Sequence, residues 1–275
     1  MLCRMTDAPK PSPLASPEPW NLVADDYAIE LLPMFELFSK DALKLAPTHA
    51  GAKVLDVACG PGTLTLLAAE AGCSVSSLDF SPQMVRNLKR RLNGAQQGAD
   101  VREGDGQALP WGDGEFDAAF SMFGLMFFPD RAKGFSELHR VLKPGGAAVV
   151  SSWAPFEGIF VSIMSAVREV LPDIPFGSGK GPLGDPDEFA SELRGAGFSE
   201  VSVQPITHIL PGDTPAEFWA QTQRTTAPVV LLKNRLGEAE WRRVTQGVVE
   251  RLEAQYGKDP VEVKTTAYLG FGRKS

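Results

Sequence analysis

The apolar positions of this chain fall into short blocks whose spacing alternates between strand-like and helix-like. Residues 54–62, V-L-D-V-A-C-G-P-G, set the pattern: an apolar run suited to a strand buried on both faces, then small residues and glycine, then the helical spacing of 64–71. This predicts a strand, a tight turn and a helix. The alternation continues with strands at 75–78, near Val101, at 116–121 and at 147–153, and with helices at 82–92 and 132–141 between them. Such a βαβ rhythm predicts an α/β fold built on a doubly wound, mostly parallel sheet, with ligands at the carboxyl ends of the strands.

The flanks carry different patterns. Residues 1–19 hold Pro9, Pro11, Pro13, Pro17 and Pro19 among small and polar residues, which predicts a flexible tail. Over 20–46 the spacing of Tyr27, Leu31, Met34, Phe35 and Phe38 predicts two short helices interrupted at Pro33. After Trp153 the rhythm breaks into an amphipathic stretch at 156–171 and a Gly/Pro segment, then returns with a helix at 187–195 and strands at 201–210 and 261–272. Residues 211–257 are far longer than a hairpin loop requires and read as helices, with Phe218, Trp219, Val244, Val248 and Leu252 turned inward. The expected organisation is one domain over 20–275, with N-terminal helices at 20–46 and cap insertions at 154–182 and 211–257.

Charge narrows the partners. The chain has 275 residues with 27 basic against 34 acidic side chains, a net of -7, so its field repels nucleic acid and anionic membrane. No apolar run reaches the roughly 18 residues of a bilayer span, and the N-terminus lacks the apolar core of a signal peptide. The three cysteines, Cys3, Cys59 and Cys73, have neither zinc spacing nor a disulfide framework. These features predict a cytoplasmic protein without a metal, without membrane insertion and without a nucleic-acid partner. They leave the oligomeric state open.

The candidate chemistry gathers at the first turn. Gly60 and Gly62 carry no Cβ, so the backbone can turn sharply and a ligand can come close, with the free amides of the next helix pointing at it. A Gly-rich turn also serves purely steric ends in many α/β proteins. Asp79 ends the second strand beside that turn, where α/β folds hold a ribose diol; the competing role, capping the helix at Pro82, suits Ser81 better. The loop E-G-D-G-Q-A-L-P over 103–110 follows the third strand, which places Asp105 at the edge where an adenine amine would lie.

Taken together, V-L-D-V-A-C-G-P-G, the acid Asp79, G-D-G-Q-A-L-P, the strand F-D-A-A-F-S and R-V-L-K-P-G-G over 140–146 resemble the class I S-adenosylmethionine-dependent methyltransferases, and within them the branch of the ubiquinone and menaquinone C-methyltransferases and small-molecule methyltransferases. The resemblance runs over about 20–153. It implies a Rossmann-like sheet of about seven strands with the last antiparallel, and S-adenosylmethionine as cofactor. It further implies that the backbone at Ala58, Gly60 and Gly62 lines the methionine moiety, that Asp79 holds the ribose, and that Phe80 and Met84 sandwich the adenine. Asp105 and Gly106 would contact the adenine edge, Ser121 would sit beside the sulfonium, Asp56 would orient the loop, and Tyr27 would close over the methionine carboxylate. Ala58 departs from the glycine frequent in the family.

The acceptor is less defined. The segment S-M-F-G-L-M-F-F over 121–128 stands where amino N-methyltransferases often carry Asn/Asp-Pro-Pro-aromatic, which disfavours a nucleobase amine. Phe123, Phe127, Trp153, Phe156, Phe160, Met164 and Trp219 form the candidate pocket for a hydrophobic or aromatic small molecule, although aromatic periodicity alone does not separate pocket from core. Of the three histidines, His208 near the end of the sixth strand is the candidate general base; a histidine satisfied by a polar neighbour is the competing reading. The scarcity of thiols argues against an arsenic substrate. The expected function is methyl transfer to O, N or C of such a molecule by in-line displacement. Quinone C-methylation and non-catalytic cofactor binding are the alternatives, and a nicotinamide dehydrogenase is disfavoured because the turn lacks G-x-G-x-x-G.

Overall fold

Two helices precede the sheet in the computed structural model, which describes residues 12–46, 48–171 and 180–275. Helix α1 (Glu18–Glu30) has Pro19 in its first turn, where a missing N–H costs nothing, and α2 (Leu32–Leu45) likewise begins with Pro33. Residues 1–11 of the expected tail lie outside the described residues, and the part from 12 to 19 is not a tail. Pro13–Ala15 form a 3-10 turn, and the Trp20 indole N–H donates to the Leu14 carbonyl at 2.9 Å, folding this segment back onto α1. One aromatic anchor outweighs the proline content that suggested disorder.

The core alternates as expected: β1 (Lys53–Val57), α3 (Thr63–Glu70), β2 (Ser74–Asp79), α4 (Pro82–Ala95), β3 (Asp100–Glu103), β4 (Phe116–Ser121), α5 (Arg131–Val141) and β5 (Leu142–Trp153). Beyond it lie α6 (Ile159–Val170), α7 (Pro186–Gly195), β6 (Ser199–Leu210), α8 (Pro215–Thr225), α9 (Ala227–Leu236), α10 (Glu238–Tyr256) and β7 (Val263–Arg273). The seven-stranded sheet has the order β3-β2-β1-β4-β5-β7-β6. Strands β1 to β5 run parallel, and β7 lies antiparallel between β5 and β6. Strand β5 begins at Leu142, ahead of the expected Ala147, because Leu142 already pairs with Phe116 before the Gly145-Gly146 turn shifts the register.

Each face of the sheet buries its own apolar layer. Leu55, Ala119 and Val150 pack under α5 and α7, whereas Val54, Phe120 and Val149 pack toward α2 and α3. This is the two-faced burial that a continuous apolar strand pattern encodes. Helices α6, α8, α9 and α10 add a separate core of Ile163, Trp219, Trp241, Val244 and Val248. The chain order reverses between β1 and β4, and the crevice outside their carboxyl ends is where a doubly wound sheet takes a ligand. No helix among the described residues is long and apolar enough to cross a membrane.

Candidate functional site

The turn after β1 is tied down before any ligand enters. Cys59 N–H donates to the Leu78 carbonyl at 3.1 Å, and Gly62 N–H to the Cys59 carbonyl at 2.9 Å. Gly62 sits at φ +84°, and a Cβ there would overlap Leu88 of α4, so only glycine lets α3 start here. Ala58, at φ +55°, adopts a left-handed conformation that a glycine would take at no cost.

Asp79 anchors this turn from β2. Its carboxylate, 5% exposed, accepts from Gly60 N–H and from Ser81 N–H, both at 2.8 Å. Ser81 is the helix cap, its hydroxyl accepting from Met84 N–H at 3.1 Å. Asp79 is therefore not free as the sequence suggested: each oxygen already serves the backbone, and a ligand must use the remaining lone pairs. Burial pushes its carboxyl up to about 6, against the opposing pull of the Ser81, Gly60 and Phe80 amides.

Asp56, 1% exposed, accepts from the Thr65 hydroxyl at 2.7 Å, and that hydroxyl also meets Ser77 Oγ at 2.8 Å. This network staples β1 to α3 and does not line the cavity. Burial first, then the Asp79 charge, pushes the Asp56 carboxyl up to about 7, despite the Thr65 hydrogen bond. Both acids bind protons more tightly folded than unfolded. Their stabilising contribution is complete below about pH 4 and is lost as the pH rises through about 6 and about 7. The Asp56→Asn variant, measured by urea unfolding, is thus expected to gain stability relative to the unsubstituted protein as the pH is raised from about 5 to about 8. A difference constant across that range would contradict this origin of the pH dependence.

A cavity of about 240 Å³ opens at this crevice. Its lining combines Ala58, Gly60, Asp79, Asp105 and Gly106 from the turns after β1, β2 and β3 with the aromatic side chains Trp20, Tyr27, Phe123 and Phe127. Phe80 and Met84 complete the side formed by the start of α4. Tyr27 stacks on Phe35 at 5.2 Å, and burial together with the Asp79 charge pushes its hydroxyl well above the usual phenol range. Helix α1 is held over the cavity by Asn21, whose side-chain oxygen accepts from Ser81 Oγ at 2.7 Å, and by Trp20, whose ring lies 5.0 Å from Phe127.

Other expected residues lie elsewhere. Ser121 is fully buried and its hydroxyl accepts from Leu125 N–H at 3.1 Å, so it fixes the turn after β4 and is not part of the cavity wall. Trp153 stacks on the back of Phe123 at 4.1 Å, one layer behind the wall. Phe156 is 54% exposed and stacks on Phe160, which packs with Phe218 in the cap. Met164 belongs to α6. Trp219 is fully buried against Trp241 in the cap core, away from the cavity. His208 also lies off the cavity: its Nε2 meets Asp41 of α2 at 2.8 Å and its ring packs edge-on to Phe38. Part of the 154–182 insertion, residues 172–179, lies outside the described residues.

Gln107, Gly124 and Trp20 are among the lining residues that were not singled out from sequence. Gln107 sits inside the G-D-G-Q-A-L-P motif, so its position was visible and its role was not. Gly124, a lone glycine in an apolar run, signals a close approach: a Cβ there would overlap that of Ala58. Trp20 carried no signal beyond its isolation among prolines.

A glycine-bearing turn, a buried acid at the end of β2 and a second acid after β3, all at the switch point of a seven-stranded sheet with β7 antiparallel, define a cofactor-binding α/β domain of the methyltransferase type. Residues 55–150 match a family described as a methyltransferase domain. The chain is 34% identical over 179 residues to a demethylmenaquinone methyltransferase of Renibacterium salmoninarum, covering 59% of this chain and 71% of that one. It is 36% identical over 151 residues to an uncharacterised protein of Mycobacterium tuberculosis, and this match spans 54% of each chain, about half the length of that relative. Among solved structures it resembles the YcgJ protein from Bacillus subtilis, with a TM-score of 0.58 at 16% identity over 87% of this chain and 97% of that one.

The chain belongs to the class I S-adenosylmethionine-dependent methyltransferase family, and S-adenosylmethionine is its cofactor. The cavity fits that molecule on its own terms. Asp79 and Asp105 offer acceptors for hydroxyl and amine hydrogens, Gly60 leaves the backbone open to close approach, and Gly106 makes room for the Phe128 ring that also lines the cavity.

Proposed function

We propose that this protein transfers a methyl group from S-adenosylmethionine to O, N or C of a hydrophobic or aromatic small molecule in the cytoplasm. The observation that carries this reading is a single cavity lined both by the carboxylates of Asp79 and Asp105 and by the aromatic side chains of Trp20, Tyr27, Phe123 and Phe127. In this reading Asp79 holds the ribose, Asp105 the adenine amine, and Phe80 and Met84 flank the base. When bound, the cofactor supplies an electrophilic sulfonium methyl, so the protein mainly has to align the acceptor and keep water out.

The aromatic wall supports that role. Phe123, at φ +58°, is held in a left-handed conformation by its N–H bond to Ser151 Oγ at 2.8 Å and by the Trp153 stack, which fixes its ring as a rigid surface for a flat acceptor. His208, engaged by Asp41, is not positioned as a base, so we assign deprotonation, where the acceptor needs it, to no residue of this chain. Helix α9 backs α1 with Ala227 and Val230, in the cluster that holds Trp20, Val23 and Tyr27. The name of the Renibacterium relative favours a quinol as one acceptor to include.

Calorimetric titration with S-adenosylmethionine, S-adenosylhomocysteine and NADH tests the reading, followed by a panel of phenols, amines and a demethylmenaquinol. Binding of the sulfur compounds alone, with methyl transfer to a panel member, is the expected result. Binding of NADH alone would overturn it, and cofactor binding with no transfer to any acceptor would favour a non-catalytic binding protein.

A further inference from the structure

The carboxylate of Asp105 is not held by its own loop alone. Gln107 N–H donates to Asp105 Oδ1 at 2.8 Å, and the Gln107 side-chain amide donates to both oxygens, at 3.0 and 3.2 Å. The other end of the same amide is also fixed, because Gln107 Oε1 accepts from Asp130 N–H at 2.9 Å. Asp130 in turn caps α5, its side chain accepting from Lys133 N–H at 2.9 Å.

These bonds leave the amide one orientation. Its oxygen must face Asp130, since the backbone N–H there can only donate; its NH₂ then faces Asp105, whose carboxylate oxygens accept. Asp105, Gln107 and Pro129 all line the cavity, so the clamp spans the loop after β3 and the loop before α5 at the cavity edge. An aspartate on an exposed loop would otherwise rotate freely and take a water-mediated partner according to the ligand. Held from one side by a donor, it presents to the cavity lone pairs and no hydrogen.

We propose that Gln107 is a positioning residue that turns this edge of the cavity into an acceptor-only surface and thereby selects a 6-amino over a 6-oxo purine. The inference rests on the cofactor reading above. An adenine brings an N–H donor to Asp105, whereas a hypoxanthine brings a carbonyl oxygen, which would face the carboxylate with no hydrogen between them. A site that expects a donor rejects the analogue lacking it because its own polar group is left unpaired.

The test is calorimetric affinity for S-adenosylhomocysteine and for its deaminated analogue S-inosylhomocysteine. The unsubstituted protein should favour the adenosyl compound roughly tenfold or more, the factor expected from one hydrogen bond to a charged acceptor. Gln107→Ala should weaken the adenosyl compound while changing the inosyl compound by less than about twofold, so that the preference falls toward that of Asp105→Ala. Gln107→Glu keeps an acceptor for the Asp130 amide and so preserves the loop connection, but sets a repelling carboxylate beside Asp105; it should lose the preference as well.

Equal weakening of both ligands by Gln107→Ala and Gln107→Glu would show that the clamp merely stabilises the loops, and would overturn the proposal. So would an unchanged preference in both variants. If the unsubstituted protein bound neither compound, the cofactor reading would fall and this inference with it; equal loss in the variants overturns this inference alone.

Discussion

Replacing Asp79 by alanine is expected to weaken S-adenosylhomocysteine binding by about 1 to 3 kcal/mol, roughly a five- to 150-fold rise in Kd, the cost of losing a charged hydrogen-bond partner. The structure adds a second effect. The same carboxylate accepts from Gly60 and Ser81, so the variant leaves two backbone N–H groups of the turn without their acceptor. Each such group, once buried and unpaired, costs on the order of 1 to 3 kcal/mol.

Burial of the charge works in the opposite direction, and pH separates the two. The folded carboxyl is raised to about 6, so its contribution to stability is greatest in acid and is lost as the pH rises through that value. Urea unfolding should therefore show a larger penalty for Asp79→Ala near pH 5 than near pH 8. Ligand affinity should follow a different course in the unsubstituted protein, falling as the pH drops below about 6, because the ionised form is the better acceptor for two hydroxyls. That fall should be absent in the variant. Unchanged affinity in Asp79→Ala would remove Asp79 from the binding site, and affinity loss without any stability change would mean the turn finds other acceptors.

Sequence patterns carried the fold and one side of the cavity for a physical reason. Strands β1, β2 and β4 are largely buried, so their apolar runs have clear ends, with Asp79 the last residue of β2 and Gly60 just past β1; Asp105 follows the mostly exposed strand β3 and was legible only through the G-D-G-Q-A-L-P motif. The aromatic side had no comparable constraint. Trp219 and Phe127 are both bulky residues near an insertion or a loop, yet one is sealed against Trp241 and the other faces the cavity, a choice set by how helices pack and not by period.

The polar residues show the same limit. Ser121, the last residue of β4, was placed beside the sulfonium by the family resemblance, but its hydroxyl turned to the Leu125 amide, and His208 met Asp41 across 167 residues of chain. One partner is distant in sequence and the other depends on which way a hydroxyl turns, and neither is set by the apolar periodicity. Gln107 is the converse case. It lay within a recognised motif, and only the position of Asp130 revealed what its amide does.

Gly124→Ala is expected to cost about 1 to 3 kcal/mol of stability, the usual range for adding a methyl group to a filled site. The obstacle is specific: the new Cβ would overlap the Cβ of Ala58 and would press against the Ala58 carbonyl oxygen and Ser121 Oγ, each 3.4 Å away. Ala58 belongs to the cofactor turn, so the variant must push that turn aside, and affinity for S-adenosylhomocysteine should fall with stability. Ala58→Gly alone should be close to neutral. It relieves about 1 to 2 kcal/mol of left-handed strain at φ +55° but adds about 0.5 to 1 kcal/mol of backbone entropy. Combining the two should restore most of what Gly124→Ala loses, because the methyl group has then moved from one residue to its neighbour in the same space. Urea midpoints of the four proteins give the coupling, expected at about 1 to 3 kcal/mol in favour of the double variant. Additive effects would mean that the barrier to a side chain at 124 is the Ser121 hydroxyl or the backbone, and that Ala58 occupies the family's usual glycine position without constraining the loop opposite it.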